Sequence, residues 1–249
     1  HPNSGHDNFS IDLVANSPYP IVIGSPIRAD ALVDYIFFAL LSRFSKIPNQ
    51  KRWDKKRIWN RTLLPELNIL LIGYGVVGKK IATVLNAFNC ITQIVDPYVS
   101  DEGIHKSTDS IDLKELDVTI LASSSNHKNQ HLIDSKFLNQ ISDDHTIINC
   151  ARGKLINQQS LITYLKENPK AYAFLDVFEN EPFDEKIFEN IENISTTSHI
   201  AGVFSDLENR IIQFEKEVIQ YFLENDIKHF KEKYSSLILS NRIRDGFLI

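Results

Sequence analysis

Ile69-Leu70-Leu71-Ile72-Gly73-Tyr74-Gly75-Val76-Val77-Gly78 is the stretch on which the fold turns. Its first four residues are a short, continuous apolar run ending in glycine, the pattern of a strand buried on both faces. Val77 to Phe88 continues with helical spacing. A G-x-G-x-x-G pattern alone is weak evidence, but here it follows a strand and opens a helix, the context its mechanism needs. Gly73 permits the tight turn, Gly75 lets a pyrophosphate approach the backbone, and Gly78 lets the helix pack close to the strand. The free N–H groups of the helix start then face the phosphates. The alternative is a plain glycine turn.

Outward from this motif the alternation persists. Ile91 to Val95, Val118 to Leu121, Thr146 to Ile148 and Ala171 to Leu175 read as further strands, mostly separated by helical segments. Apolar strands alternating with helices predict an α/β fold with a doubly wound parallel sheet. The second strand ends at Asp96, whose carboxylate can accept hydrogen bonds from both ribose hydroxyls of NAD and would repel the 2′-phosphate of NADP. The expected cofactor is therefore NAD.

Before the motif, Ile21-Val22-Ile23 is a strand candidate, and Ala29 to Phe44 is a long helix, apolar almost all round. That predicts burial on several sides or a subunit contact. The basic, Trp-bearing stretch Asn49 to Arg61 reads as a solvated connector rather than a nucleic-acid site, because the whole chain is acidic. After Gly202, the spacing of Leu207, Ile211, Phe214, Val218 and Tyr221 marks an amphipathic helix, followed by a mixed, charged tail.

Composition narrows the function classes. The 249 residues are 43% hydrophobic, enough for a substantial core, and the net charge of −5 gives no reason to expect nucleic acid or an anionic membrane as partner. No apolar run reaches the roughly 18 residues of a membrane span. Cys90 and Cys150 are too few for a disulfide scaffold, which points to a reducing, cytoplasmic setting. No metal is expected. Methionine is absent, position 1 is His1, and no signal peptide or tag explains this start, so the front is expected to be processed or incomplete.

Three segments carry residue types suited to carbonyl reduction: Ile148-Asn149-Cys150-Ala151-Arg152-Gly153, Leu175-Asp176-Val177-Phe178-Glu179-Asn180-Glu181-Pro182, and Thr197-Ser198-His199-Ile200-Ala201-Gly202. All three should open at the carboxyl edge of the sheet, beside the nucleotide crevice. A guanidinium at Arg152 can hold a carboxylate and polarise the adjacent carbonyl. An imidazolium at His199 can deliver a proton to the oxygen that becomes the alcohol, and a carboxylate at Glu181 would stabilise its charged form. Taken singly, each has a plainer reading: a surface ion-pair partner, a turn residue, a strand-end histidine.

The segments INCARGKLINQQSLITYL, FLDVFENEP and TTSHIAG, in this order after the glycine motif, resemble the signatures of the D-isomer-specific 2-hydroxyacid dehydrogenases. The resemblance covers nearly the whole chain. It implies a Rossmann NAD-binding domain over 27–202, a remnant of a flavodoxin-like substrate domain over 1–26, and a C-terminal helix and tail returning to that domain over 203–249. It implies catalysis by Arg152, His199 and its partner Glu181, and a 2-keto or 2-hydroxy acid as substrate, bound by Arg152 with help from Ser4 and Gly5. Cofactor contacts are implied at Gly73, Tyr74, Gly75, Val76, Val77, Gly78, Asp96, Ala122, Ser123, Asn126, Cys150, Ala151, Arg152, Asp176, His199 and Gly202, and the assembly implied is a homodimer. Cys150 otherwise reads as a small buried filler. Ser124-Ser125-Asn126 replaces the family's usual Pro-Leu-Thr, and Ser198 replaces a frequent proline. Arg28 stands where the family often has asparagine. It is expected to face outward; if it enters the cleft, it favours a substrate with an extra negative charge. The first strands of the substrate domain have no counterpart here. The competing expectation is therefore a non-catalytic NAD-binding or dimerisation module.

Overall fold

The computed structural model describes residues 1–249 except Ser4, Asp7, Asn8, Gln50 and Ile58. In chain order, its helices and strands begin with α1 (Ile11–Asn16), α2 (Ser25–Phe44), β1 (Asn68–Ile72), α3 (Val76–Ala87), β2 (Ile91–Val95) and β3 (Ile104–His105). They continue with β4 (Val118–Leu121), α4 (Ser135–Leu138), β5 (Thr146–Asn149), α5 (Gln158–Glu167), β6 (Tyr172–Leu175) and β7 (Ile194–Thr196). The last are α6 (Leu207–Glu224), α7 (Ile227–Lys233), β8 (Ile243–Arg244) and β9 (Phe247–Leu248).

Strands β1 to β7 form one parallel sheet in the order β3-β2-β1-β4-β5-β6-β7. The chain leaves β1 first to one side and then, at β4, to the other. This reversal opens a crevice at the carboxyl ends of β1 and β4, the place where such sheets bind ligands. The alternation of β1 serves both faces. Leu70 and Ile72 join a core with Phe137, Leu161 and Leu165 from α4 and α5. Ile69 and Leu71 join one with Ile36, Leu40, Ile81 and Leu85 from α2 and α3. Strands β4 and β5 are buried throughout and β1 everywhere but at Asn68, which is why they read as apolar runs.

Several expectations change. The helix expected from Ala29 begins at Ser25, with Pro26 in its first turn, where a missing N–H costs nothing. It buries one face, through Ile27, Val33, Ile36 and Leu40, and leaves Phe38 and Leu41 exposed. Ile21–Ile23 is no sheet strand: Val22 makes a single antiparallel bridge to Ile238. Strands β3 and β7 extend the sheet beyond the apolar runs. The tail is folded, with α7 followed by the β8–β9 hairpin.

The beginning and end of the chain build a separate, smaller core. Ile23 N–H donates to the Leu237 carbonyl (3.0 Å), and Leu239 N–H donates to the Ile21 carbonyl (2.8 Å). Val22 packs with Phe230, Tyr234, Leu237 and Ile238, backed by Phe214, Val218 and Tyr221 of α6. The predicted apolar stripe of α6 is thus used, although none of its residues is fully buried. Val76, at the start of α3, touches the same cluster, so this unit abuts the glycine turn. Between α2 and β1, the described residues of the Trp-bearing connector form no regular element before a short turn at Leu64–Glu66, with Trp53 exposed and the Trp59 indole donating to the Lys46 carbonyl.

Candidate active site

The glycine turn leaves β1 with Gly73 at φ 104°, a left-handed conformation that L side chains resist. A Cβ there would lie 2.6 Å from Ser123 N, and one at Gly78 would lie 2.0 Å from the Gly73 carbonyl oxygen. Gly75 differs: a Cβ would meet nothing within 4 Å, so open space lies above the turn. A phosphate can approach the backbone there, facing the N-terminus of the 12-residue helix α3. Asp96 closes the far side. Its Oδ2 accepts from Tyr74 N–H (2.8 Å) and its Oδ1 from Tyr98 N–H (2.9 Å), which ties the end of β2 to the turn. Each oxygen keeps a lone pair for a further donor. On the β4 side, the buried Ser123 hydroxyl has no partner among the described residues. Left-handed turn, open cradle, carboxylate and orphan hydroxyl together fit a dinucleotide.

The loop after β5 is organised by Asn149, which is fully buried. Its Oδ1 accepts from Ala151 N–H (3.0 Å) and its Nδ2 donates to the Arg152 carbonyl (2.9 Å). The Arg152 Nη1 donates to the Ala151 carbonyl at 2.6 Å. Gly153 presses against the loop after β6: a Cβ would lie 1.8 Å from the Phe178 carbonyl oxygen. The Arg152 and Glu181 loops are therefore in direct backbone contact. Cys150 is buried, and its thiol is pushed up to about 12, chiefly by burial. A filler in that state is a poor nucleophile.

Glu181 and His199 meet. The His199 Nδ1 lies 2.8 Å from Glu181 Oε2, while Glu181 Oε1 accepts from Phe178 N–H (3.0 Å). Among the described residues, His199 Nε2 makes no protein hydrogen bond, and its side chain is 55% exposed. His199 adopts φ 55°, rare for a residue with a side chain. The cause lies at Asp176, 1% exposed. Its Oδ1 accepts from Ile200 N–H (2.8 Å) and the Thr197 hydroxyl (2.6 Å), and its Oδ2 accepts from Ala201 N–H (2.8 Å). The Asp176 carbonyl accepts from His199 N–H (2.8 Å). Asp176, expected at the cofactor, thus spends its carboxylate on the histidine loop. Tyr35 of α2 completes the clamp, its hydroxyl 3.0 Å from Thr197 Oγ1. Burial pushes that phenol up to about 12, which keeps it protonated and able to donate.

Ala122 and Ser123 flank the glycine turn. Asn126 lies in a turn held by its neighbours, its N–H donating to Asn129 Oδ1 (2.7 Å). Gly5 accepts from the His1 ring through its carbonyl (3.0 Å), and Ser4 lies outside the described residues. Arg28 departs from its expected outward placement. Its Nη1 donates to the Gly202 carbonyl (2.8 Å) and its Nη2 to Asn3 Oδ1 (3.2 Å), and burial lowers its pKa. The sequence reading also missed a second pair. His131 Nε2 lies 2.7 Å from Glu179 Oε1, and Gln158 N–H donates to Glu179 Oε2 (3.3 Å). Glu179 sits inside the FLDVFENEP segment, which offered a signal, whereas nothing local marked His131. Asn149, Thr197 and Tyr35 were likewise passed over as site residues.

Residues 37–201 match the NAD-binding domain of the D-isomer specific 2-hydroxyacid dehydrogenases. The chain belongs to this family, and its main domain is an NAD-binding domain. It is 32% identical over 181 residues to an erythronate-4-phosphate dehydrogenase of Photorhabdus laumondii, covering 70% of this chain and 44% of that protein. It is 27% identical over 230 residues to the D-3-phosphoglycerate dehydrogenase of Bacillus subtilis, covering 87% and 43%. The chain thus spans less than half the length of these two relatives. In fold it is similar to the D-lactate dehydrogenase of Aquifex aeolicus solved with NAD and lactic acid, with a TM-score of 0.73 at 19% identity, covering 96% of this chain and 78% of that one. No helix among the described residues is long and apolar enough to cross a membrane.

Proposed function

We propose that this chain carries the active site of an NAD-dependent oxidoreductase acting on 2-hydroxy and 2-keto acids. The observation that supports it most is the His199–Glu181 pair, with one ring nitrogen tied to a carboxylate and the other, on a half-exposed ring, making no hydrogen bond among the described residues. Glu181 fixes the ring's orientation through its bond at Nδ1. His199 Nε2 then gives a proton to the C2 oxygen when the keto acid is reduced, and takes it back when the alcohol is oxidised. Arg152 holds the substrate carboxylate and polarises the C2 carbonyl. Asp176, Thr197 and Tyr35 set the histidine loop and are positioning residues. NAD, when bound, supplies the hydride donor or acceptor for C2. The glycine turn Gly73–Gly78, Ser123 and Asp96 would hold it, with the carboxylate at the ribose favouring NAD over NADP.

Residues 1–26 and 203–249 are read as the part of the substrate domain present in this chain, forming the second wall of the cleft. Assembly as a homodimer is read from the exposed Phe38 and Leu41 on α2, with Ile47 and Trp53 on the following connector. The decisive experiment is NADH oxidation by the 249-residue chain with a panel of 2-keto acids. Turnover supports the enzyme reading. NADH binding without turnover of any panel member would turn the assignment to a non-catalytic NAD-binding module.

A further inference from the structure

Arg28 is bound as though a partner were still to come. It stands in the first turn of α2 and lies flat over Gly202, where a Cβ would come within 3.2 Å of its Cδ. Gly202 belongs to the loop that carries His199, and Asn3 adjoins the Ser4-Gly5 segment. The guanidinium therefore joins the His199 loop to the first residues of the chain. Among the described residues its acceptors are a carbonyl and an amide oxygen, both neutral, with no carboxylate among them. Its Nε is buried without a partner among the described residues, while the Nη2–Asn3 bond lies at an exposed edge. Two bonds to neutral oxygens need no charge, and a glutamine could make them. A partly desolvated cation without a counter-charge is costly unless an anion completes it.

We infer that Arg28 recognises a second anionic group on the substrate, so that the site selects 2-keto acids bearing a further carboxylate or phosphate. This rests on the proposed dehydrogenase reading and adds the substrate class. The Nη edge still has N–H donors to offer a carboxylate or phosphate oxygen.

The test separates the two readings. Binding to the NADH-loaded chain is measured by calorimetry with two unreactive analogues: oxamate, with one carboxylate, and N-oxalylglycine, with two. NADH oxidation is measured in parallel with pyruvate, 2-oxoglutarate and a phosphorylated 2-keto acid, phosphohydroxypyruvate. The last two arms distinguish carboxylate from phosphate. Wild type is expected to bind N-oxalylglycine more tightly than oxamate. Arg28→Gln should weaken N-oxalylglycine about 10- to 100-fold, the range for a lost charge-assisted bond, and leave oxamate within about threefold. Arg28→Lys should keep part of the preference. Equal losses for both analogues in Arg28→Gln, a lysine variant as poor as glutamine on both, or no preference in wild type would each overturn the inference. Selective, Arg28-dependent binding without turnover would instead count against the dehydrogenase reading while leaving the recognition intact. Turnover of pyruvate unchanged by Arg28→Gln, with no preference for dianions, would do the reverse.

Discussion

His199–Glu181 and His131–Glu179 are two histidine–carboxylate pairs whose acids lie on the same loop after β6. Both histidines adopt φ 55°, and both pairs close at 2.7 to 2.8 Å. They differ in what the rest of the ring does. Both ring nitrogens of the partly exposed His131 have neighbours: Nε2 faces Glu179, Nδ1 lies 3.4 Å from Asn157 Nδ2, and its own N–H donates to the Lys154 carbonyl. It fastens the loop after β4 to the segment that follows Arg152. His199 has one nitrogen engaged and stands 55% exposed. Under the proposed function, the same residue types give a brace in one place and a proton donor in the other, and the deciding variable is the ring nitrogen that makes no hydrogen bond among the described residues. Bond length and backbone strain do not separate them.

The largest effect should come from His199. His199→Ala is expected to lower turnover about 10²- to 10⁴-fold, the range for a positioned acid–base group, with the melting temperature nearly unchanged. A rate within a few-fold of wild type would erase the distinction between the pairs. A third histidine sharpens the contrast. His145 is fully buried between Thr119 Oγ1 (2.9 Å) and the Leu116 carbonyl (2.8 Å), and burial pushes its pKa down from 6.5 to about 4. It is neutral in the folded chain at a pH where the unfolded chain protonates it. Its contribution is complete above pH 6.5 and lost as pH falls towards 4, in total about 3 kcal/mol. Denaturant titrations between these pH values should show that slope in wild type and a shallower one in His145→Gln. The smallest effect belongs to the brace. His131→Ala should cost about 1 kcal/mol in unfolding free energy, as for a partly exposed pair, with kcat changed less than by His199→Ala. A turnover loss matching that of His199→Ala would show the two histidines to be equivalent after all.

Much of the main domain was legible because central parallel strands are buried on both faces and so spell themselves in apolar runs. The edges do not. Strand β3 has two residues, and β7 is Ile-Ser-Thr, half-exposed at the rim of the sheet. Arg152, Glu181 and His199 were legible as types within motifs, and the described structure brings Glu181 onto His199 and the Arg152 loop onto its neighbour. Asp176 was legible as a residue of interest, but its direction was not. That depends on three donors from the 197–201 loop, which no local pattern announces. Arg28 failed for the same reason. Helical periodicity fixes its position on α2, whereas its orientation is set by the Gly202 carbonyl, 174 positions along the chain. The terminal helix α7 and the β8–β9 hairpin were missed because their support comes from elsewhere, Phe230 packing on Val22.

That last contact bears on the order in which the molecule assembles. The bridge between Val22 and Ile238 joins segments from opposite ends of the chain, and each doubling of a closed loop adds about 0.6 kcal/mol of entropic cost. Sheet strands joined by short crossovers are expected to close first, and the pairing of the ends to come late. Among the described residues, a small core of Val22, Phe230, Tyr234, Leu237 and Ile238 then holds it. The wall against Val76 should therefore open first under mild destabilisation, with amide exchange at Ile23 and Leu239 running ahead of exchange in β1 and β4.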